Sequence, residues 1–415
     1  MRIVLLSPYH GGSHRAWAEG WAERSRHRIE ILALPDQFWK WRLHGGAVRL
    51  ADLYHERFGS GDTVDLIVAT DMLDLTTFLA LTRERTASVP VLLYVHENQW
   101  TYPLPSDPET GPMRRQKGER DRHYAWVNFA SMLAADRIAF NSSFHREEFL
   151  SALPAFLSHY PDEKDATWIE RIDARSSVLP LGIDLARLDG SATSGGSVIR
   201  PGEGGSAGLS GDGAEAWAQR EAGATTPRFP SAAGDTSSPL VLWNHRWEYD
   251  KDPETFFRAV DALAEEGASF RLAVCGTCVR THTPEFDEAR ERHRDRIAHW
   301  GEADARTYAA LLRAADVVVS TAIHEFFGLS VCEAVYCGSA PVLPRRLSYP
   351  ELIPEPHHHR VLYEDFAGLV DRLRDRLSAP ADPTFRSELR AAMARHDWSL
   401  RASEYDDQVE VWFPG

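Results

Sequence analysis

Two carboxylates, Glu325 and Glu333, stand with seven residues between them in the stretch STAIHEFFGLSVCEAVYCGSAPVLPRRLSYPEL, residues 320–352. The first falls in the turn after the apolar run DVVVSTA (316–322). The second lies about two turns into a helix whose other positions are nearly all apolar. A lone buried carboxylate is costly, so each needs a hydrogen-bonding partner. Sugar and ribose hydroxyls suit the task, because they donate to a carboxylate without neutralising it; a structural ion pair is the alternative. Gly328 and Ser330 mark the start of the helix, whose first N–H groups are free to hold an anion. Upstream, WNHRWEYDKDPETF supplies Arg246 and Lys251, two cations just ahead of a helix capped by Asp252 with Pro253 in its first turn. Two cations there can neutralise a leaving diphosphate, the work a metal does elsewhere. The D-x-D at 250–252 is a weak metal motif, since Asp252 already serves as the cap, and the chain has no P-loop.

The first half offers its own set. SPYHGGSHRAW places Gly11 and Gly12 between a strand and a helix, where backbone can approach a phosphate or sugar closely. His14 either joins that site or faces solvent. VHENQWTYP crowds His96, Glu97, Asn98 and Gln99 at the end of a very apolar strand. DQFWKWRLHGG alternates Trp39, Lys40, Trp41 and Arg42, a pattern in which rings stack on unpaired bases and cations meet phosphates, or in which the rings simply pack inward. MRRQKGERDRH adds Arg114, Arg115, Lys117, Arg120 and Arg122 in one polar segment, either further cations for phosphates or a solvated loop.

Strands and helices alternate twice to position these residues. In the first 186 residues RIVLLSP (2–8), RIEILALP (28–35), VDLIVAT (64–70), VPVLLYV (89–95), RIAFNS (137–142) and SSVLPLG (176–182) read as strands between helical patterns. Residues 187–238 are rich in glycine, serine and proline and read as a flexible linker or insertion, with one short helix at AEAWAQREA. The alternation restarts over 239–398 with PLVLWNHR, FRLAVCG, DRIAHWG, DVVVSTA, APVLPR and HRVLY. Residues 399–415 read as a C-terminal helical segment able to pack back on the first domain. This is an α/β chain: two doubly wound parallel sheets, with ligands bound in the cleft at their carboxyl ends.

Composition narrows the class. At 415 residues and 43% hydrophobic the chain can bury two full cores. It has no apolar run long enough to span a bilayer, and its N-terminal run is too short for a signal peptide, so the expected compartment is the cytoplasm. Four cysteines suit a reducing environment; the Cys275/Cys278 pair has no partner pair to complete a zinc site, and the consecutive His357, His358 and His359 read as a solvated loop or strand start. A formal charge of −15 excludes a protein that coats nucleic acid indiscriminately and leaves room only for a local basic patch.

The glutamate pair matches the E-x7-E motif of retaining family-4 glycosyltransferases, and VLPLGID (178–184) resembles the end of that family's N-terminal domain. YHGGSH, FWKWRLH, VHENQWTYP, ADRIAFNSSFH and HEFFGLSVCEAVYCG resemble more narrowly the tRNA-queuosine alpha-mannosyltransferases. The resemblance implies the GT-B fold, two Rossmann-like domains facing a cleft. It also implies transfer of mannose from GDP-mannose to queuosine in a tRNA anticodon, with retained configuration and no metal or other cofactor. The donor pocket would comprise Gly11, Gly12, Arg246, Lys251, Glu325, Phe327, Gly328, Leu329, Ser330 and Glu333. Arg246 and Lys251 would hold the diphosphate, Glu325 the sugar and Glu333 the ribose; His96 would lie near sugar and acceptor. Trp39, Lys40, Trp41, Arg42, Asn98 and Gln99 would meet the tRNA. Two other readings remain: a related transferase with a lipid, glycan or small-molecule acceptor, and a nucleotide-sugar epimerase or binder on the same scaffold.

Overall fold

A computed structural model describes residues 1–98, 101, 111–162, 165–189, 238–277, 284–379 and 381–414; for 111–122 it describes the backbone alone. The AEAWAQREA segment, most of the 187–238 insertion, Gln99 and Cys278 lie outside the described residues.

The first sheet is all parallel, in the order β2-β1-β3-β4-β5-β6. Its strands are β1 (Arg2–His10), β2 (Arg28–Pro35), β3 (Leu66–Thr70), β4 (Val91–Val95), β5 (Arg137–Phe140) and β6 (Ser176–Val178). Helices α1 (Gly12–Arg24), α2 (Trp39–Arg57), α3 (Leu75–Thr86), α4 (Gly111–Ala134), α5 (Ser143–Leu157) and α6 (Thr167–Arg175) fill the crossovers. β3 and β4 are buried along their whole length, which is why their sequences are continuous apolar runs rather than alternating ones. The basic segment from Arg114 to Arg122 is helical, within the opening turns of α4, and not the solvated loop that was one of its two readings.

The second sheet repeats the design in the order β12-β11-β10-β7-β8-β9, again parallel. Its strands are β7 (Leu240–Trp243), β8 (Arg271–Cys275), β9 (Ile297–Gly301), β10 (Val317–Val319), β11 (Ala340–Pro344) and β12 (Leu362–Tyr363). The helices are α7 (Pro253–Glu265), α8 (Pro284–Arg292), α9 (Ala305–Ala314), α10 (Leu329–Tyr336), α11 (Tyr349–Leu352), α12 (His358–Val361), α13 (Phe366–Ser378), α14 (Pro383–Ala394) and α15 (Trp398–Trp412). The histidine triplet is neither strand nor solvated loop. His357 pairs with Glu388 at 2.7 Å, and the His358 ring bonds the Ile353 carbonyl at 2.8 Å from within a helical turn.

The chain returns to its start at α15. Trp17 of α1 donates to the Tyr405 hydroxyl at 3.0 Å, that hydroxyl donates to the Tyr94 hydroxyl at 2.9 Å, and Trp21 donates to the Asp406 carboxylate at 2.9 Å. Trp17, Trp21, Trp398 and Tyr405 are fully buried. Truncating an aromatic ring so enclosed costs about 3–5 kcal/mol, so this helix is a fixed brace between the two halves. One apolar cluster runs from the first sheet through residues 179–188 and α15 into the second sheet.

Candidate active site

In both halves the functional side chains sit just past the carboxyl ends of central strands. In the first half the register aligns Thr70 with Tyr94 and Val95 with Phe140, so Asp71, His96 and Asn141 emerge side by side. The Asp71 carboxylate accepts the His96 backbone N–H at 2.8 Å, and the Asn141 amide donates to the His96 carbonyl at 3.0 Å. The backbone that carries His96 is thus held from both sides. Its ring lies 4.2 Å from the His14 ring and 4.8 Å from each of Trp17 and Tyr94, centroid to centroid. Burial drives both His96 and His14 down to about 3, helped for His14 by the neighbouring imidazole, so both are neutral near pH 7. His96 Nδ1 is 3.5 Å from Asp71, a contact that is therefore no ion pair. Burial pushes Asp71 up to about 6. Glu97 is pushed up to about 7 by burial and by Asp71, against the pull of Arg246 from the other half.

His14, Asp71 and His96 offer one ligand atom each within 4.8 Å of one another. Asp71 already accepts a backbone N–H, and the two rings lie against each other, tilted 39°, rather than converging on a point. The arrangement is that of an enclosed polar pocket with neutral imidazoles, and no metal ion is assigned to it. Gly12 takes φ +47°, a left-handed turn that glycine tolerates without strain, and a Cβ on Gly11 would fall 2.0 Å from Asp36 Oδ2. The two glycines are therefore required by the turn and by Asp36, whatever ligand approaches.

In the second half Val241 pairs with Val317 and Leu242 with Val318, so the segments after β7 and β10 share one end of the sheet. The β7 segment carries Asn244, His245 and Arg246 and closes in a short turn, Tyr249–Lys251; Asp252 caps α7 by accepting the Thr255 N–H at 3.2 Å. Lys251 is buried, with its ammonium 2.7 Å from the His324 carbonyl, 3.1 Å from Asp250 and 3.3 Å from Glu325. Burial opposes its charge, but the Asp250 and Glu325 carboxylates more than offset that, and its pKa lies above the usual lysine value. Asp250 also lies 3.9 Å from Arg246, which contacts Glu248 at 3.3 Å. Arg246 and Lys251 thus flank one buried carboxylate on the same side of the molecule. His245 and His324 beside them are lowered to about 4 by burial and by the Lys251 charge.

Glu325 spans two partners. One oxygen faces Lys251; the other accepts the N–H groups of Phe327 at 3.3 Å and Gly328 at 3.1 Å. Burial raises its pKa, but Lys251, His245 and these N–H donors outweigh it and hold the carboxyl below the usual range. The helix start that the sequence offered to an anion is therefore partly filled by the protein's own glutamate. The N–H groups of Leu329 and Ser330, in the first turn of α10, have no acceptor within the helix. Gly328 opens α10 at φ +93°, and Phe327 is buried against the His396 ring. Glu333 is 2% exposed, pairs with Arg187 and accepts the Tyr308 hydroxyl at 2.8 Å.

The two halves meet around this end. Ser142 donates to the Phe326 carbonyl at 2.6 Å, the His145 ring stacks on Phe326 at 3.7 Å, and Glu351 accepts the Ser143 and Phe144 N–H groups that open α5. The residues singled out for the acceptor are spread more widely. Trp39 packs on Tyr9, Leu43 and Tyr124, whereas Trp41 is 64% exposed. Lys40 lies 5.4 Å over the Trp39 ring, Arg42 donates to the Pro35 carbonyl, and Asn98 is buried, accepting from Thr101 at 3.0 Å. Sequence reasoning missed Phe38, 52% exposed beside Trp41, and weighed Asp250 only as part of a weak metal motif, not as the buried partner of Arg246 and Lys251. The aromatic run was a signal for the first; for the second, the sign was an aspartate between two cations in RWEYDK.

Residues 2–183 match the family described as tRNA-queuosine alpha-mannosyltransferase N-terminal, and residues 228–394 match glycosyl transferases group 1. The first half of the chain is thus similar to the N-terminal domain of the tRNA-queuosine alpha-mannosyltransferases, and the second half to the group 1 glycosyl transferases. A tRNA-queuosine alpha-mannosyltransferase of Drosophila melanogaster is 29% identical over 378 residues, 89% of this chain and 85% of the relative. Among solved structures, sucrose-phosphate synthase from Thermosynechococcus elongatus superposes with TM-score 0.63 at 16% identity, covering 100% of this chain and 99% of that one. The N-terminal domain of a Candida albicans trehalose-6-phosphate phosphatase reaches 0.64 at 15% identity, covering 99% and 97%. The fold is GT-B, and the protein is a glycosyltransferase.

Proposed function

We propose that the protein transfers mannose from GDP-mannose to a cyclopentenediol hydroxyl of queuosine in a tRNA anticodon, retaining configuration. The observation that carries this reading is the Arg246–Asp250–Lys251–Glu325 constellation, opposite a wall of neutral imidazoles within a chain similar to the tRNA-queuosine alpha-mannosyltransferases. A diphosphate leaving group gains negative charge as the glycosidic bond breaks. Arg246 and Lys251 are held in place beforehand, so their stabilisation needs no reorganisation at the moment of reaction and no divalent ion. Glu325, anchored by Lys251 and the Phe327 and Gly328 N–H groups, has a lone pair left for a sugar hydroxyl. Neutral His96 can accept or donate one hydrogen bond to the sugar or the acceptor hydroxyl, and a phosphate oxygen of the donor takes the acceptor proton on the same face.

Trp41 and Phe38, both exposed at the start of α2 and flanked by Lys40 and Arg42, suit an unpaired anticodon loop: rings stack on bases while cations meet phosphates. The net charge of −15 requires such contacts to be local. The free cysteines Cys275, Cys332 and Cys337, and the lack among the described residues of any helix long and apolar enough to cross a membrane, accord with work in the cytoplasm. The test is incubation with a panel of nucleotide sugars and queuosine-containing tRNA, followed by mass analysis of the nucleosides. One added hexose on queuosine, with GDP-mannose and not with tRNA lacking queuosine, is the expected result. Equal labelling of both tRNAs would refute the acceptor, and conversion of the nucleotide sugar with no tRNA present would favour an epimerase.

A further inference from the structure

Glu333 is assigned to the donor's ribose, yet it does not stand alone. One of its oxygens is bonded to the guanidinium of Arg187, 146 residues earlier in the chain. The other accepts the Tyr308 hydroxyl at 2.8 Å, and Tyr308 in turn accepts the Asn244 amide at 3.2 Å. Asn244 also donates to the Ser330 carbonyl at 2.9 Å, so the network ties β7, α9 and α10 together. Arg187 lies in neither sheet unit. It stands in the short turn Ala186–Leu188, on the connection between them.

That connection is fastened to the second unit around Arg187. Arg313 donates to the Leu188 carbonyl at 3.2 Å, Tyr336 donates to Asp189 at 2.8 Å, Arg390 donates to Asp189 at 2.6 Å, and the Asp397 carboxylate accepts the Leu185 N–H at 2.9 Å. The guanidinium is therefore held in place rather than swept in by chance. Burying a carboxylate at 2% exposure without a countercharge is expensive, and hydroxyl donors supply none. A carboxylate has about four lone-pair sites. Arg187 and Tyr308 take two, and a vicinal diol needs two.

Resting on the reading of Glu333 as the ribose acceptor, we propose that Arg187 is a positioning residue of the nucleotide site. It supplies the countercharge that lets Glu333 stay buried and oriented while it accepts both ribose hydroxyls. The selectivity for a ribonucleotide over a deoxyribonucleotide is then set by a residue outside both Rossmann-like units.

The experiment is calorimetric binding of GDP, UDP and ADP, and of their 2′-deoxy forms, to the full chain. It compares wild type with Arg187→Ala, Arg187→Lys, Glu333→Gln and the Arg187→Ala/Glu333→Gln double variant. Arg187→Ala is expected to weaken the best ribonucleotide by about tenfold or more and to bring its deoxy form within about twofold. Arg187→Lys recovers part of the loss, the double variant binds no worse than Glu333→Gln, and kcat at saturating donor falls less than KM rises. Unchanged affinity with an unchanged ribo-to-deoxy ratio overturns the proposal. Tighter binding by Arg187→Ala overturns it too, because Arg187 would then compete with the nucleotide. If thermal unfolding shows that Arg187→Ala does not fold, Arg187→Gln, which keeps length without charge, carries the same two outcomes. Failure of wild type to bind any of the six nucleotides refutes the nucleotide-sugar reading itself, a result distinct from a variant that binds normally.

Discussion

The two sheets share strand direction and number, yet their carboxyl ends are electrostatic opposites. Beyond β1, β3 and β4 the cleft is lined by His14 and His96, both lowered to about 3, and by Asp71 and Glu97, raised to about 6 and 7. Burial there has suppressed charge. Beyond β7 and β10 the groups are equally enclosed, but Lys251 is raised and Glu325 and Asp250 are lowered. Burial there has been overruled by pairing. One topology thus yields a wall of neutral imidazoles and weakened carboxylic acids, suited to a hydroxyl acceptor, and a charged wall with partners already in place, suited to a polyanion.

The comparison is broken most severely from the charged side. Lys251→Ala and Arg246→Ala are each expected to lower transfer on the order of 10²-fold or more, measured as kcat/KM with queuosine-containing tRNA. Near-normal turnover in both variants would remove the electrostatic role. Trp41→Ala tests the acceptor side: its loss should weaken tRNA binding by about 1–3 kcal/mol while leaving donor hydrolysis intact, read by filter binding and by nucleotide release. An unchanged tRNA affinity would place the stacking surface elsewhere. Glu351→Ala removes the contact by which the second half caps α5, and should cost about 1 kcal/mol of stability by thermal unfolding.

The smallest effect concerns the imidazole wall. Asp71 has its carboxyl raised from 3.8 to about 6, so its contribution to stability is fully present below 3.8 and is lost as pH rises through 6. Asp71→Asn keeps an oxygen to accept the His96 N–H and does not titrate. Its Tm relative to wild type should therefore climb between about pH 4 and 6 and level off above. A difference independent of pH would mean that burial does not raise the Asp71 carboxyl.

Much of this arrangement was legible in the residues. The continuous apolar runs of β3, β4 and β10 marked buried parallel strands, Asp252-Pro253 marked the start of α7, and the spacing of Glu325 and Glu333 put one in the turn and the other in α10. Less visible was which member of an aromatic run packs inward. Trp39 and Trp41 are two apart at a helix start, and only the neighbouring Tyr124 and Leu43 make one a core residue and the other a surface residue. The basic run of α4 could be read as a loop because its charges hide the periodicity by which a helix is recognised.

The sequence by itself determined what is local: which segments become strands and helices, where the helices begin, and which side chains arrive at the carboxyl ends of the strands. Those outcomes depend on neighbours a few residues away, whose periodicity and capping are written in order along the chain. Tertiary structure alone decided the partners: Arg187 with Glu333, Lys251 with Glu325, and Asp71 beneath His96. A buried charge is stabilised by whatever the fold brings within a few ångströms, and distance along the chain places no limit on that.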